Sequence, residues 1–239
     1  AMPAGNRTMG AAKGLIDLTD KRVVITQARD FMGPVLCEVF AELGAVVIED
    51  ERPLADPTVP AGIIAAAGRV DILLANLSLP APRSTATEAT DAEWRHVFEN
   101  LVDPLPRLVR AVLPQMIERR AGKILLLGSA AALRGQKRAS TYSAARGAQL
   151  AYIQTAGIEA AAHHVQVNAI AQNFVDNPTY FPPELQANPA FQERLKRDVP
   201  LGRLVASRED ALFAAYLCSA AADCFVGQVF PLCGGWVTR

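Results

Sequence analysis

The chain lacks an excess of either charge. Its 239 residues carry 24 Lys and Arg against 24 Asp and Glu, a formal net charge of zero. Binding to nucleic acid or to a membrane surface normally requires a basic excess, so neither partner is expected. Cysteine is scarce: Cys37, Cys218, Cys224 and Cys233 show no Cys-x-x-Cys spacing, which argues against a zinc or dithiol framework. Cys37 and Cys218 fall in apolar helical patterns, where a free thiol behaves as a small hydrophobe, and a reducing, cytoplasmic setting is the expectation. His96, His163 and His164 do not stand at metal-ligand spacing, and the adjacent pair reads as a partner for a helix C-terminus, so no metal is expected. No apolar run reaches the length of a membrane helix. Residues 1–14 lack the continuous apolar stretch of a signal peptide and are expected to form a loose arm ahead of one domain over 15–239. Repeats and low-complexity linkers are also missing.

What is present is apolar sequence, 51% of the chain, enough to cover both faces of a sheet. Short continuous apolar runs at 22–26, 45–49, 71–75, 123–127, 165–170 and 228–232 alternate with helical patterns at 33–43, 91–120 and 140–163. That alternation predicts an α/β fold, a single doubly wound Rossmann-like parallel sheet with helices on both faces. Pro104 and Pro106 are expected to kink the helix over 91–120. Only residues 50–70 separate the second and third runs. Pro53, Pro57 and Pro60 leave room there for one helix and a short strand near Leu54-Ala55. Ligands of such a sheet bind beyond the carboxyl ends of its strands.

After the first run, a dinucleotide-binding chain needs glycines for a tight turn and close approach to pyrophosphate. Here the loop reads Thr26-Gln27-Ala28-Arg29-Asp30-Phe31-Met32-Gly33, with Gln27 and Phe31 at two of the three glycine positions. Phe31 is expected to block the phosphate path and offer an aromatic wall; the alternative is an ordinary strand-to-helix turn in which it merely packs. The shortened 50–70 stretch, where an adenine pocket would be built, argues independently against a nucleotide. Glu49 and Asp50, near a ribose-binding acid's position, then read as a solvated edge.

Ser129 ends the fourth apolar run, and Tyr142 and Arg146 stand one helical turn apart. A phenol with an ordinary pKa near ~10 is a poor base at neutral pH, and a guanidinium one turn away favours its ionised form. Arg is planar and permanently charged, so it is not a simple replacement for Lys. The alternative is a turn-capping Ser129 with a surface Tyr142–Arg146 pair.

This Ser, Tyr and basic-residue spacing resembles the short-chain dehydrogenase/reductase family, whose basic residue is Lys. Together with Thr26, Phe31 and Gly33 it resembles the halohydrin dehalogenases, cofactor-free relatives of those reductases. The likeness spans 21–236. In the segment Ala171-Gln172-Asn173-Phe174-Val175-Asp176-Asn177-Pro178-Thr179-Tyr180-Phe181, Gln172-Asn173 replaces the reductases' Pro-Gly, and Asn177 stands at their Thr. Aromatics and turn-exposed backbone amides in such a loop can solvate a halide; an ordinary reductase substrate lid is the alternative.

The resemblance implies a lyase converting vicinal haloalcohols to epoxides, with Ser129, Tyr142 and Arg146 as the catalytic set and no cofactor. It implies a halide pocket of Phe31, Gln172, Asn173, Phe174, Val175, Tyr180 and Phe181, with Leu79, Ala131 and Ala139 lining the substrate side. It also implies reverse opening of epoxides by halide, azide, cyanide or nitrite, and a homotetramer built through the two long helices. Two other readings remain: an NAD(P)-dependent reductase with an aberrant loop, and a non-catalytic reductase-like protein. Asn76 stands where the reductases carry an Asn-Ala-Gly run, but Leu77-Ser78 follows it; Asn100 matches a reductase helix Asn whose role is tied to the Lys, and it reads as structural.

Overall fold

A computed structural model of the chain describes residues 16–238. The elements, in order, are β1 (Arg22–Thr26), α1 (Gly33–Glu42), β2 (Val46–Asp50), α2 (Val59–Ala67), β3 (Ile72–Asn76), α3 (Asp91–Leu101), α4 (Pro104–Arg119), β4 (Gly122–Ser129), α5 (Ser140–Ala161), β5 (Val165–Gln172), α6 (Pro183–Gln186), α7 (Pro189–Asp198), α8 (Ser207–Cys218) and β6 (Val229–Leu232). The strands form one parallel sheet in the order β2-β1-β3-β4-β5-β6. Every residue of β3 and β5 is buried, because helices cover both faces of these central strands.

Alternate side chains feed two cores. Val24, Leu73, Leu126 and Val167 pack with residues of α2, α4 and α5, whereas Ile25, Leu74, Leu125 and Ile170 pack with residues of α1 and α8. The strand order reverses at β1 and β3, which opens a crevice above their carboxyl ends.

Two expectations are corrected. The pattern over 91–120 is two helices rather than one kinked helix: α3 ends at Leu101, and Pro104 starts α4, where its missing N–H costs nothing. No strand forms near Leu54-Ala55. Those residues lie in a turn with Leu54 buried, so β2 is left as the sheet edge. Glu49 and Asp50 do stand on this edge, with Asp50 paired to Arg52 at 2.6 Å. The expected arm over 1–14 lies outside the described residues. Among the described residues no helix is long and apolar enough to cross a membrane.

Gly33 is the glycine that the fold requires most. A Cβ there would lie 2.3 Å from the Ala28 carbonyl oxygen, against backbone that cannot swing away. We expect Gly33→Ala to lower stability by about 3 kcal/mol or more, read as a fall in the denaturant midpoint. An unchanged midpoint would show that the β1–α1 turn is looser than described.

Candidate active site

The β1–α1 loop has lost glycines but kept the backbone shape glycines favour. Gln27 and Phe31 have φ of 46° and 53°, in the left-handed region that costs a side-chain-bearing residue roughly 1–2 kcal/mol. Specific bonds hold both in place. The Asn76 amide, at the end of β3, donates to the carbonyls of Gln27 and Asp30 at 3.0 Å each. Gln27 exchanges bonds with the Ser78 backbone, and the Phe31 N–H donates to Thr179 Oγ1 at 2.9 Å. Asn76 therefore ties the loop to β3. The Phe31 ring is buried and meets Tyr180 edge-on, with centroids 5.3 Å apart.

Ser129 closes β4 directly opposite Gln172 at the end of β5. Its Oγ accepts the Ala131 N–H at 3.2 Å, which leaves the hydroxyl proton free to be donated onward. Tyr142 sits in the first turn of α5 and lines the same cavity as Ser129. Arg146, one turn later, is wholly buried, and its guanidinium lies 5.1 Å from the centre of the Tyr142 ring. It donates to the Leu127 carbonyl, to Gln149 Oε1 and to the Tyr180 hydroxyl, at 3.4, 3.0 and 3.2 Å. No carboxylate pairs with it among the described residues, and its Nε has no partner. Burial opposes its charge, but the two phenols beside it, Tyr142 and Tyr180, more than offset this and hold the guanidinium above its usual range.

Those two phenols differ. The Tyr180 hydroxyl donates to the Leu79 carbonyl at 2.9 Å, and burial, reinforced by the neighbouring Tyr142, pushes its pKa up while Arg146 opposes the rise. Tyr180 is thus committed to keeping its proton. A buried cation without an anionic partner is costly, so negative charge is favoured beside Arg146. Tyr142 is the phenol that faces the open cavity.

The cavity has a volume of about 240 Å³. It brings together Phe31, Ser129, Ala139, Tyr142, Gln172, Asn173, Phe174, Val175, Tyr180 and Phe181. Leu79 and Ala131, expected as substrate-side lining, stand behind the wall: Leu79 bonds the Tyr180 hydroxyl through its backbone, and Ala131 holds Ser129. Tyr180 contributes its ring to the wall while its hydroxyl turns toward Leu79 and Arg146. The segment after β5 is turned by Phe174, with φ of 53°. The bridge between Val175 and Val205 uses the Phe174 carbonyl and the Asp176 N–H, which leaves the Val175 N–H directed to the opposite side.

Several lining residues escape sequence reasoning, among them Arg83, Gln136 and Arg194, because none belongs to a recognisable motif. Asp210 escapes it too. This α8 carboxyl is wholly buried, and its Oδ2 accepts from Gln172 Nε2 at 2.6 Å. Burial pushes its pKa from 3.8 up to about 8, with the Gln172 bond opposing. Gln172 Oε1 and Asp210 Oδ1 have no partners, so this polar pair beneath the cavity is only half satisfied.

Comparison with known proteins separates two kinds of relative. The family model for enoyl-(acyl carrier protein) reductase matches residues 51–237. A protein described as a ketoacyl reductase from Streptomyces coelicolor is 30% identical over 185 residues, covering 73% of this chain and 70% of that one. Among solved structures, one described as a dehalogenation enzyme is 30% identical with a TM-score of 0.87, over 92% of this chain and 99% of that one. A halohydrin dehalogenase bound to ethyl (2S)-oxiran-2-ylacetate is 26% identical with a TM-score of 0.84, over the same 92% and 99%. The parallel six-stranded sheet, the Ser–Tyr–basic set at its carboxyl edge and these matches agree that the chain belongs to the short-chain dehydrogenase/reductase family.

Proposed function

We propose that this protein is a cofactor-independent halohydrin dehalogenase, a lyase that closes vicinal haloalcohols to epoxides. The observation that carries the reading is the Phe31 ring at a lost glycine position, forming one wall of the cavity that Ser129 and Tyr142 line. The likeness to two solved dehalogenases supports it.

In this reading Ser129 donates its hydroxyl proton to the substrate oxygen and fixes it. Tyr142, required as its phenolate and with the Arg146 guanidinium beside it, takes the substrate hydroxyl proton. The alkoxide electron pair then attacks the neighbouring carbon from the side opposite the halogen. The carbon–oxygen bond closes the epoxide as the carbon–halogen bond breaks, and the halide leaves with that bond's electrons toward Phe31 and Val175. Alignment of oxygen, carbon and halogen supplies much of the rate, since the nucleophile is intramolecular. The reverse reaction opens an epoxide with a small anion such as azide, cyanide or nitrite.

Cofactor independence has its own support. A cavity of about 240 Å³ falls below the roughly 300–1,000 Å³ typical of sites for drug-sized ligands, and a dinucleotide is larger still. The N–H of Phe31 is already bonded to Thr179, and no strand lies beyond β2 among the described residues. The rival is an NAD(P)-dependent reductase, favoured by the family model and the ketoacyl reductase relative. Thermal melts with NAD(H) and NADP(H) separate the two. A ligand at a hundredfold its dissociation constant stabilises by about 2.7 kcal/mol, a rise of several degrees. We expect no rise with either cofactor; a clear one would favour the reductase.

Arg146 should set the alkaline behaviour. Arg146→Lys keeps the charge but loses the planar bonds to Gln149 and Tyr180, and a weaker enzyme with a related pH profile is expected. Arg146→Met removes the charge, so the rising limb of the rate should move to higher pH. An unmoved limb in the Met variant would leave Arg146 with a structural role only. The homotetramer implied by the resemblance would cover Trp94 on α3 and Ile158 on α5, which are 45% and 72% exposed in the single chain.

A further inference from the structure

Resting on the dehalogenase reading, we infer that the natural substrate carries a carboxylate, recognised by Arg83 and Arg194 in the cavity lining. Apart from Tyr142, which the proposed mechanism sets beside the buried Arg146, these are the side chains of the lining that bear formal charge, and both are positive; no Asp or Glu joins them. In a protein with a net charge of zero, a cavity lined by one sign of charge is a local arrangement.

Neither charge is neutralised well. Arg83 has no acidic partner among the described residues, although its backbone is fixed: its carbonyl accepts from Arg138 Nε at 2.9 Å, and Arg138 pairs with Glu88. Arg194 approaches Asp198 at 3.5 Å, but Arg197 already holds both oxygens of that carboxylate, at 2.8 and 3.1 Å. Arg194 is also stationed at the cavity. Its guanidinium lies 5.7 Å from the centre of the ring of Phe174, a buried residue of the cavity wall. An aromatic face attracts a cation and holds it in place.

A guanidinium offers a planar fork of donors that matches a carboxylate. The opposite end of the substrate then meets Ser129 and Tyr142, so the acid group would orient the haloalcohol. Both arginines are exposed to solvent, and each contact should contribute modestly, about fivefold in kcat/KM.

The test compares a short γ-chloro-β-hydroxy acid with its methyl ester as substrates, and the halogen-free β-hydroxy acid with its methyl ester as ligands. Wild type, Arg83→Gln and Arg194→Gln are each assayed at low and high salt. We expect the acid to be preferred roughly tenfold at low salt, the preference to shrink with salt, and each substitution to lower the acid-to-ester ratio. Equal use and equal binding of acid and ester, or a ratio untouched by both substitutions, would overturn the inference. Should neither chlorinated compound release chloride while the hydroxy acid still binds through the two arginines, the carboxylate site stands and the dehalogenase reading falls.

Discussion

Tyr142→Phe should reduce halide release by roughly a hundredfold to ten-thousandfold, the range in which a positioned acid–base group contributes. The ring remains to fill its place beside Tyr180 and above the Arg146 guanidinium, so the fold should survive. What is lost is the oxygen that, in the proposed mechanism, accepts the substrate proton. Tyr180 cannot take over, because its hydroxyl is engaged by the Leu79 carbonyl and burial opposes its ionisation. Ser129→Ala should be comparably severe through loss of the bond that holds the substrate oxygen. Circular dichroism and a melting curve establish that each variant is folded, and initial rates of halide release give the effect. Wild-type turnover by Tyr142→Phe would mean that another group removes the proton.

Asp210→Asn should stabilise the protein, by a margin that grows with pH. In the unfolded chain the carboxyl releases its proton near 3.8, whereas in the folded protein it holds it up to about 8. Between those values the native state binds more protons than the unfolded state, so this group makes stability fall as pH rises. Below about pH 4 it costs little, and above about pH 8 the loss levels off at several kcal/mol. Asn carries no charge to desolvate. Its amide oxygen can still accept from Gln172 Nε2, and its NH2 offers a donor for the orphaned Gln172 Oε1. Melting temperatures of both proteins from pH 4 to 8 provide the check. A constant difference across that range would show that Asp210 ionises as readily in the folded protein as in water.

The two cases also mark what the sequence makes legible. β3, β4 and β5 are readable because a parallel strand covered on both faces is a continuous apolar run. Tyr142 and Arg146 are readable because helical geometry puts residues four apart on one face. Phe31 is readable from what it displaces, although the sequence did not reveal that the backbone there still adopts a left-handed turn. Contacts between distant segments are not legible. Tyr180 reaches Arg146 across 34 residues, and Asp210 reaches Gln172 across 38, with nothing local to announce either. A burial pattern on α8 predicts an apolar side chain where Asp210 stands, and only its partner on β5 makes the carboxyl intelligible. The division at 102–103 was hidden for a related reason: a proline reads equally well as a kink or as the first residue of a new helix.

The most direct measurement is halide release from a vicinal haloalcohol by purified protein freed of nucleotide. The account predicts equal amounts of halide and epoxide, formed over many turnovers, with no change on adding NAD(H) or NADP(H). Absence of halide, together with nicotinamide-dependent reduction of a carbonyl compound by the same preparation, would contradict it.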